Sequence, residues 1–568
     1  MNRHPSDQLK TRNFRKTFLI LLAAWFSINI IQAFFMEIMS DEAYYGLYAA
    51  NMDWGYYDHP PMVALLIRIS SAIFSGNLGI RFMTILLQMG TLILVWKTLN
   101  ISEPDSRNVY SFFIVAFSIT MFSVYGVITS PDAPLLFFTA LFLFAYKKFI
   151  SIEKWPVTFL LAVSMAGLVY SKYQAVIVIG FLVLSNLSLL GKFRFWVAGI
   201  LALVLLSPHI YWQISNNFPS LQYHLIDRSA GFKWKYFFEY LPNQMAVFNP
   251  VTLGAVIYVL IKFKPDGVFS RSLYFQIIGF IGFFWLTSFR GHVEPHWTIA
   301  CSIPMIILLT ETSVESSTLL RYIRKFILPT IILLFALRIL VLTDFQFVKS
   351  SGFSGKKEKF EYIGSVAKDL PVIFIGSFQN PSLYPFFTGK EATVISSVYS
   401  RQTQFDIWQF ERKYHNKPVF ACIDAEGKSQ VYGSGQLQFS GFRTDSLQTV
   451  SRIKIKFNLG QDTLHPGDSV RISFTLQNTY NYDIDFNHRE FPVGIYICII
   501  RGKEMYTQDV ILSEPVDIIP AGKTIERDLT VIVPEISDGN YSFGICLNTL
   551  FGYSLNSHFT KISIKNVD

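Results

Sequence analysis

Apolar runs long enough to cross a membrane constrain this chain more than any other feature of its sequence. The first extends from Thr17 to about Phe35, enough to span a hydrocarbon layer of about 30 Å. Further runs lie near residues 78–97, 109–128, 133–147, 156–170, 173–190, 195–213, 246–262, 273–288, 297–310 and 325–343. The pattern predicts a polytopic α-helical membrane protein with about eleven transmembrane helices. No small-residue cleavage site follows the first run, so we expect it to be retained.

The composition agrees with this prediction. Of 568 residues, 51% are hydrophobic and 16% are charged, which is too apolar for a wholly soluble chain. A net charge of +9 is also typical of nucleic-acid binding, but Lys and Arg lie mostly between the apolar runs. In that position they orient helices in a bilayer. We therefore expect membrane lipid, and no nucleic acid, around this chain.

The basic residues also predict which side each loop faces. Five of them precede the first run, Arg3, Lys10, Arg12, Arg15 and Lys16, and such flanks stay in the cytoplasm. Counting crossings from there puts the loops around 36–77, 129–132, 171–172, 214–245 and 289–296 outside. An odd number of spans also exports the hydrophilic tail. The prediction is a bacterial inner-membrane protein with a cytoplasmic N-terminus and a periplasmic C-terminal part.

The predicted outside loops contain most of the residues suited to chemistry. Asp41 and Glu42 directly follow the first apolar run, and Asp58 and His59 follow an aromatic cluster. Acids at a membrane boundary cost free energy unless they are solvated, paired or bound to cations. A functional site and a plain solvated loop both fit. The apolar pattern around these acids, including 63–74, predicts two short helices lying in the membrane interface.

Five motifs occur in order along residues 1–345: DEAYY at 41–45, WGYYDHPPM at 54–62, SPDAPLLFF at 130–138, SKYQA at 171–175 and VEPHW at 293–297. Together they resemble the GT-C superfamily of glycosyltransferases that use polyprenyl-phosphate sugars, in particular the bacterial protein O-mannosyltransferases and the lipid A aminoarabinose transferase of glycosyltransferase family 39. The resemblance implies transfer of a hexose or pentose, with inversion, to an acceptor outside the inner membrane. It does not cover the tail.

The resemblance also implies roles for the acids. Asp41 matches the acid that would act as general base on the acceptor hydroxyl, and Glu42 would position it or share its proton. Asp58 matches a second acidic position near the donor phosphate. His59 stands where relatives often carry a basic residue, and a neutral imidazole there would contribute less positive charge than a lysine.

Cations and their neighbours in the outside loops are candidates for binding the donor phosphate or another part of the substrate. These candidates are Lys172, Tyr173, Arg228, Arg290 and Glu294. Lys172 could offer its charge to a phosphate or simply extend to the bilayer surface, and Tyr173 could add a hydrogen bond. Glu294 and Asp132 equally suit the first turn of a helix.

A cofactor is not required by the sequence. A divalent cation is compatible with Asp58 together with His59, His224 or His296, but these residues have no compact ligand spacing. We therefore assign no metal ligand. Arg338, inside the last apolar run, receives no role, and it either extends toward the interface or pairs with an acid.

Three classes of function remain open. The first is a glycosyltransferase whose acceptor is a protein, a lipid or a polysaccharide. The second is a transporter or flippase of lipid-linked sugars, which would be expected to place polar residues at mid-membrane and to show repeated halves. The third is a non-catalytic sensor or assembly protein.

The tail predicts two further domains after a membrane domain at 1–345. An amphipathic helix and the strands at 371–376 and 418–424 indicate a small α/β domain at 346–428. Short alternating strands then indicate an immunoglobulin-like β-sandwich at 429–568. Its Cys498 and Cys546 could form a disulfide or remain buried thiols.

Overall fold

The computed structural model describes residues 5–224, 231–343, 345, 348–349, 352–502 and 504–565. They form two compact units, which divide between Gly355 and Lys356.

The membrane unit is helical, as predicted. Its α-helices are α1 Pro5–Phe35, α2 Ser40–Ala50, α3 Met62–Ser71, α4 Gly76–Thr98, α5 Ser106–Ser118, α6 Thr120–Val124, α7 Asp132–Ser151, α8 Trp155–Ser171, α9 Ala175–Ser185, α10 Phe193–Ser215, α11 Pro219–Gln222, α12 Trp234–Phe248, α13 Pro250–Lys262, α14 Gly267–Thr287, α15 Ser302–Glu315, α16 Ser317–Tyr322 and α17 Leu328–Leu340. Short 3₁₀ turns at Leu187–Gly191 and Pro295–Cys301, and a π turn at Ile323–Ile327, link some of them. Every apolar run of the sequence overlaps one of these helices.

Six helical segments in the described residues are long and apolar enough to cross a membrane, and a bent pair makes a seventh. The bent pair is α12 and α13, which meet at 99°. The runs at 156–170 and 173–190 instead form the shorter helices α8 and α9. The polytopic class is thus confirmed, while the number eleven stays a prediction, because length and composition alone identify fewer complete spans.

The two short helices predicted for this region are present as α2 and α3, and they pack against each other. Their location in the membrane interface stays a prediction. Between α5 and α7 the helical path is interrupted at Ile119. The chain then forms the short helix α6 and continues into a loop at 125–131. This loop, the start of α2 and the end of α17 converge on one cavity, described below.

The C-terminal unit contains α18 Lys356–Ala367, α19 Gln379–Thr388 and α20 Gln404–Trp408 among its helices. Its strands are β1 Val372–Ile375, β2 Ala392–Ile395, β3 Val419–Ala421, β4 Gln430–Tyr432, β5 Phe439–Thr444, β6 Ile453–Phe457, β7 Thr463–Leu464, β8 Ser469–Asn478, β9 Ile484–Asp485, β10 Gly494–Arg501, β11 Glu504–Asp509, β12 Ile511–Leu512, β13 Ile518–Ile519, β14 Thr524–Ile532, β15 Gly539–Thr549, β16 Gly552–Ser554 and β17 Thr560–Ile564.

The first five strands form one sheet in the order β2-β1-β3-β5-β4, with β1 parallel to β2 and β3. The predicted domain boundary after residue 428 needs correction, because it falls inside this sheet. The edge of β3 is completed by β5, which pairs antiparallel to it from residues 439–444. The composition of the chain changes at 429, but backbone pairing continues beyond that point.

The predicted sandwich is formed by a six-stranded sheet around β10, β15 and β17 and a four-stranded sheet β12-β14-β8-β6. Inward side chains of both sheets, such as Ile472, Phe474, Ile497 and Ile545, share one buried core. Alternation of buried and exposed residues along β8 puts every second side chain in that core. Cys498 and Cys546 lie buried on the neighbouring strands β10 and β15 as free thiols.

Candidate active site

A cavity of 470 Å³ in the membrane unit is the candidate site. The end of α1, the start of α2, the 125–131 loop and α17 contribute to its wall. Its polar and charged lining residues include Gln32, Asp41, Glu42, Tyr45, His59, Tyr125, Thr129, Asp132, Lys172, His296 and Arg338. Four of the sequence-predicted site residues are in this set, namely Asp41, Glu42, His59 and Lys172.

The adjacent acids Asp41 and Glu42 have different environments. Asp41 is exposed, whereas the side chain of Glu42 is fully buried. Arg81 of α4 donates to both oxygens of Glu42, at 2.8 and 2.5 Å. The backbone N–H groups of Thr129 and Met39 donate to the same carboxylate at 2.9 and 3.0 Å. Glu42 is therefore held by four hydrogen bonds, and Asp41 is the acid of the two whose side chain remains accessible.

Arg81 also fixes the chain around these acids. Its Nη1 donates to the carbonyl oxygens of Ala33 and Met36, at 3.1 and 2.7 Å, and its Nη2 donates to that of Glu37. These carbonyls lie at the end of α1, where a helix leaves acceptors without partners. One guanidinium thus ties the end of α1 and the start of α2 to α4.

A second buried ion pair lies in the cavity wall. Lys172 Nζ is 2.6 Å from Asp132 Oδ1, and each side chain is 3% exposed. His296 Nε2 is 3.9 Å from the other oxygen of Asp132. Asp132 is the first residue of α7, as the helix-start interpretation expects, but its side chain also reaches the cavity. The lysine therefore enters the cavity already oriented by a carboxylate.

Asp58 and His59 contact side chains of α2. Asp58 accepts a hydrogen bond of 2.5 Å from the hydroxyl of Tyr48, and its backbone oxygen lies 3.1 Å from His224 Nε2. His59 lines the cavity, while Asp58 is not among its lining residues. The His59 Nδ1 is buried without a hydrogen-bond partner among the described atoms, and burial lowers the pKa of His59 to about 3. The imidazole is therefore neutral near pH 7.

The other predicted substrate contacts lie elsewhere. Tyr173 donates to Ser220 Oγ at 2.9 Å and accepts from Gln213 at 2.7 Å, in a polar cluster away from the cavity lining. Arg290 is exposed, and Glu294 is 3.7 Å from His292; neither lines the described cavity. The predicted contact Arg228 lies outside the described residues.

Arg338 is the cavity residue that the sequence left without a role. Its guanidinium donates to Asn29 Oδ1 at 2.6 Å and to Gln32, and it lies 4.7 Å from the centre of the Trp25 ring. Its Nη1 is buried without a hydrogen-bond partner among the described atoms. A charged residue inside an apolar run was the available signal. Its partners are amides on α1 rather than an acid.

The lining does not form a ready metal site. Among the described residues, no three His, Cys, Asp or Glu side chains are grouped so that they could hold a metal ion. The cavity instead combines an accessible carboxylate, a lysine and an arginine. Those groups can accept a proton and bind an anion.

Lowering the pH is expected to destabilise the fold through His59. The unfolded chain binds a proton at His59 below about pH 6.5, whereas the folded protein does so only near pH 3. The free energy of unfolding therefore falls as the pH drops through this window. Thermal unfolding of the detergent-solubilised protein at pH 7 and pH 4.5 measures it. His59→Gln should lose less stability between these two values than wild type, whereas a matched change at the exposed His558, His558→Gln, should behave as wild type.

Comparison with known proteins finds sequence similarity to glycosyltransferases. The family model for dolichyl-phosphate-mannose-protein mannosyltransferases matches residues 58–212. The lipid A galacturonosyltransferase RgtD of Rhizobium johnstonii is 23% identical over 245 residues, which are 40% of this chain and 51% of RgtD. The chain thus matches about half the length of this curated relative.

Two solved structures have a similar fold. ArnT from Cupriavidus metallidurans in the apo state aligns with a TM-score of 0.55 and 11% identity, covering 75% of this chain and 98% of ArnT. The same protein bound to undecaprenyl phosphate aligns with a TM-score of 0.54 and 12% identity, covering 75% and 97%. The fold and the cavity define a polytopic membrane protein with an acid and cations at one internal site. The two sequence matches are to glycosyltransferases, and they agree with the resemblance that the motifs of the sequence carry.

Proposed function

We propose that this protein is a membrane glycosyltransferase that moves a sugar from a polyprenyl-phosphate donor to an acceptor hydroxyl on the periplasmic side of the inner membrane. The observation that carries the proposal is the shared cavity of Asp41 and Lys172, which puts an accessible carboxylate and a buried cation around one space. The similar ArnT structure has undecaprenyl phosphate bound, which supports a lipid-linked donor.

Asp41 acts as the general base. Its carboxylate takes the proton of the acceptor hydroxyl while the hydroxyl oxygen attacks the anomeric carbon of the donor sugar. The bond from that carbon to the phosphate oxygen breaks, and its electron pair leaves with the polyprenyl phosphate. This direct displacement inverts the anomeric centre. Glu42 has its four donors already in place, so it positions α2 and does not share the proton.

The departing phosphate is stabilised by cations. The Lys172 ammonium has three N–H donors, of which Asp132 takes one at 2.6 Å. The others are available to a phosphate oxygen, and a charge-assisted hydrogen bond of this kind is about twice as strong as a neutral one. His59 offers a neutral imidazole rather than a charge. Arg338 also lines the cavity, and its Nη1, which has no hydrogen-bond partner among the described atoms, suits an anionic oxygen.

The orientation belongs to this proposal. The N-terminus is cytoplasmic and the C-terminal unit is periplasmic, on the evidence of the basic residues that precede the first span. The cavity is then on the periplasmic side, where a polyprenyl-linked sugar can reach it from the outer leaflet. The acceptor is a protein, a lipid or a polysaccharide of the envelope.

A transfer assay in detergent tests the function. Cells that lack the protein should accumulate the polyprenyl-phosphate sugar and lose one sugar from an envelope glycan, as measured by mass spectrometry. Their lipid extract supplies donor, their envelope fraction supplies acceptor, and purified protein in detergent is then added. We expect the acceptor to gain the mass of one sugar.

The assay in detergent distinguishes transfer from transport. No membrane separates two compartments there, so a flippase alone would not add sugar to the acceptor. If the deletion changes the glycans, but the solubilised protein transfers no sugar and restores the modification only in intact membranes, the transferase is wrong and a flippase replaces it. Boiled protein in the same detergent is the matched control, because it shows any gain of sugar that does not depend on the folded protein.

A further inference from the structure

The parallel strands of the C-terminal unit end together at one edge of their sheet. The register pairs Ile375 of β1 with Ile395 of β2, and the Cys422 N–H donates to the oxygen of Ile373 at 2.8 Å. The chain passes from β1 to β2 on one side and then returns past β1 to β3 on the other. In open α/β sheets, ligands bind outside the carboxyl ends of the strands where the strand order reverses in this way.

A cleft of 660 Å³ lies at this edge. Its wall includes Ile375 at the end of β1, Ser397 after β2 and Asp424 after β3, and the segment 550–553 closes another side. Its volume falls within the range of about 300–1,000 Å³ that is usual for small-molecule sites. Both the position and the size of the cleft are therefore those of a ligand site.

Aromatic side chains form much of the wall. They are Phe360, Phe374, Tyr399, Phe439, Phe551 and Tyr553. Tyr399 is 63% exposed, which leaves a large apolar face in contact with water. A flat ring with a polar tip offers apolar area and a hydroxyl together. The C–H face of a pyranose ring is complementary to such a surface.

The polar groups of the cleft balance in charge. Lys359 and Asp424 are the charged residues among its described lining, one of each sign, and Asn380 adds an amide. Asp424 accepts from Ser429 at 3.0 Å, and a carboxylate has further acceptor sites for hydroxyl groups. Burial raises the pKa of Cys422 to about 12, so that its thiol adds no charge.

This balance favours a neutral ligand over a phosphate. The segment after β1 reads GSFQNP at 376–381, with one glycine, and lacks the glycine-rich turn that cradles phosphates. A ligand with many hydroxyls and apolar ring faces uses the amide, the carboxylate and the aromatic rings at the same time.

We propose that the cleft at the carboxyl edge of β1, β2 and β3 is a binding site for a neutral saccharide. Tyr399 stacks on a sugar ring, and Asp424 and Asn380 accept and donate hydrogen bonds to its hydroxyls. This binding does not require catalysis at Asp41, so it stands independently of the transfer reaction.

Saturation-transfer NMR on the full-length protein in detergent tests this site. The probes are oligosaccharides released by mild acid from the envelope of the producing cells, and inorganic phosphate is added as an anionic competitor of the saccharide signals. We expect saccharide signals with wild type and a weakening of about tenfold in Tyr399→Ala, equivalent to about 1.4 kcal/mol. Asp424→Asn should also weaken binding.

Two further variants separate this site from other effects. Tyr506→Ala removes a tyrosine of β11 that does not line the cleft and should bind as wild type. Asp41→Asn should also bind as wild type, so a failure of catalysis is distinguishable from a failure of this site. The proposal is overturned if no released saccharide binds, if inorganic phosphate displaces the bound saccharide, or if binding survives both Tyr399→Ala and Asp424→Asn.

Discussion

Asp41→Asn is expected to lower the rate of sugar transfer by about 10²–10⁴-fold, the usual contribution of a general base. Asparagine has nearly the shape of aspartate but cannot accept the proton of the acceptor hydroxyl. Because Asp41 is exposed at the cavity and Glu42 holds the helix start, the fold should be unchanged. The detergent transfer assay gives the rate, and thermal unfolding of the same sample reports the fold.

A matched variant makes this result specific. Glu239→Gln also removes one carboxylate, from a half-buried position on α12 that does not line the cavity, and should transfer at the wild-type rate. An undiminished transfer rate in Asp41→Asn would show that Asp41 is not the general base. Equal losses in both variants would instead indicate a general effect of charge.

Arg81→Met is expected to destabilise the membrane unit by about 3–5 kcal/mol, the typical cost of removing one partner of a buried ion pair. Both side chains are fully buried, and Glu42 would lose two of its four hydrogen bonds. The carbonyls of Ala33 and Met36 would lose their donor as well. Unfolding of the detergent-solubilised protein, followed by intrinsic fluorescence, measures the change.

A double variant identifies the cause. In Glu42→Gln with Arg81→Met, the residual charge is gone while the amide oxygen still accepts from a backbone N–H, so part of the lost stability should return. Lys235→Met breaks the exposed pair with Glu239, at 3.6 Å, and should cost about 1 kcal/mol or less. If the double variant is no more stable than Arg81→Met alone, the loss comes from packing and not from an unpaired charge.

The sequence predicted the helices of the membrane unit because the length of an apolar run is a local property. It also predicted Asp41, His59 and Lys172, which proved to line one cavity, because each lies in a loop between runs. Their partners were harder to find. Arg81 lies 39 residues after Glu42 and inside an apolar run, so the sequence indicates only that it is part of a transmembrane helix.

Asp132 is a second residue whose tertiary partner could not be predicted from the sequence. Beside Pro131 it fits a helix start, and local pattern cannot reveal that Lys172, forty residues away, contacts it. Tyr173 is adjacent to Lys172 but bonds to Ser220 and Gln213, because neighbouring side chains after a helix end point in different directions. Such pairings depend on tertiary packing.

The binding of Arg81 to the end of α1 and to the start of α2 has a consequence for the order of assembly. Asp41 takes its place only when α2 is seated, and Glu42 seats it through Arg81 of α4 and the N–H of Thr129. When only the first span of a growing chain has been inserted, Asp41 and Glu42 are already synthesised, but the residues that surround them in the folded protein are not yet in place. The carboxylate proposed as the base therefore acquires these surroundings only after the fourth helix and the loop before α7 have been inserted into the membrane.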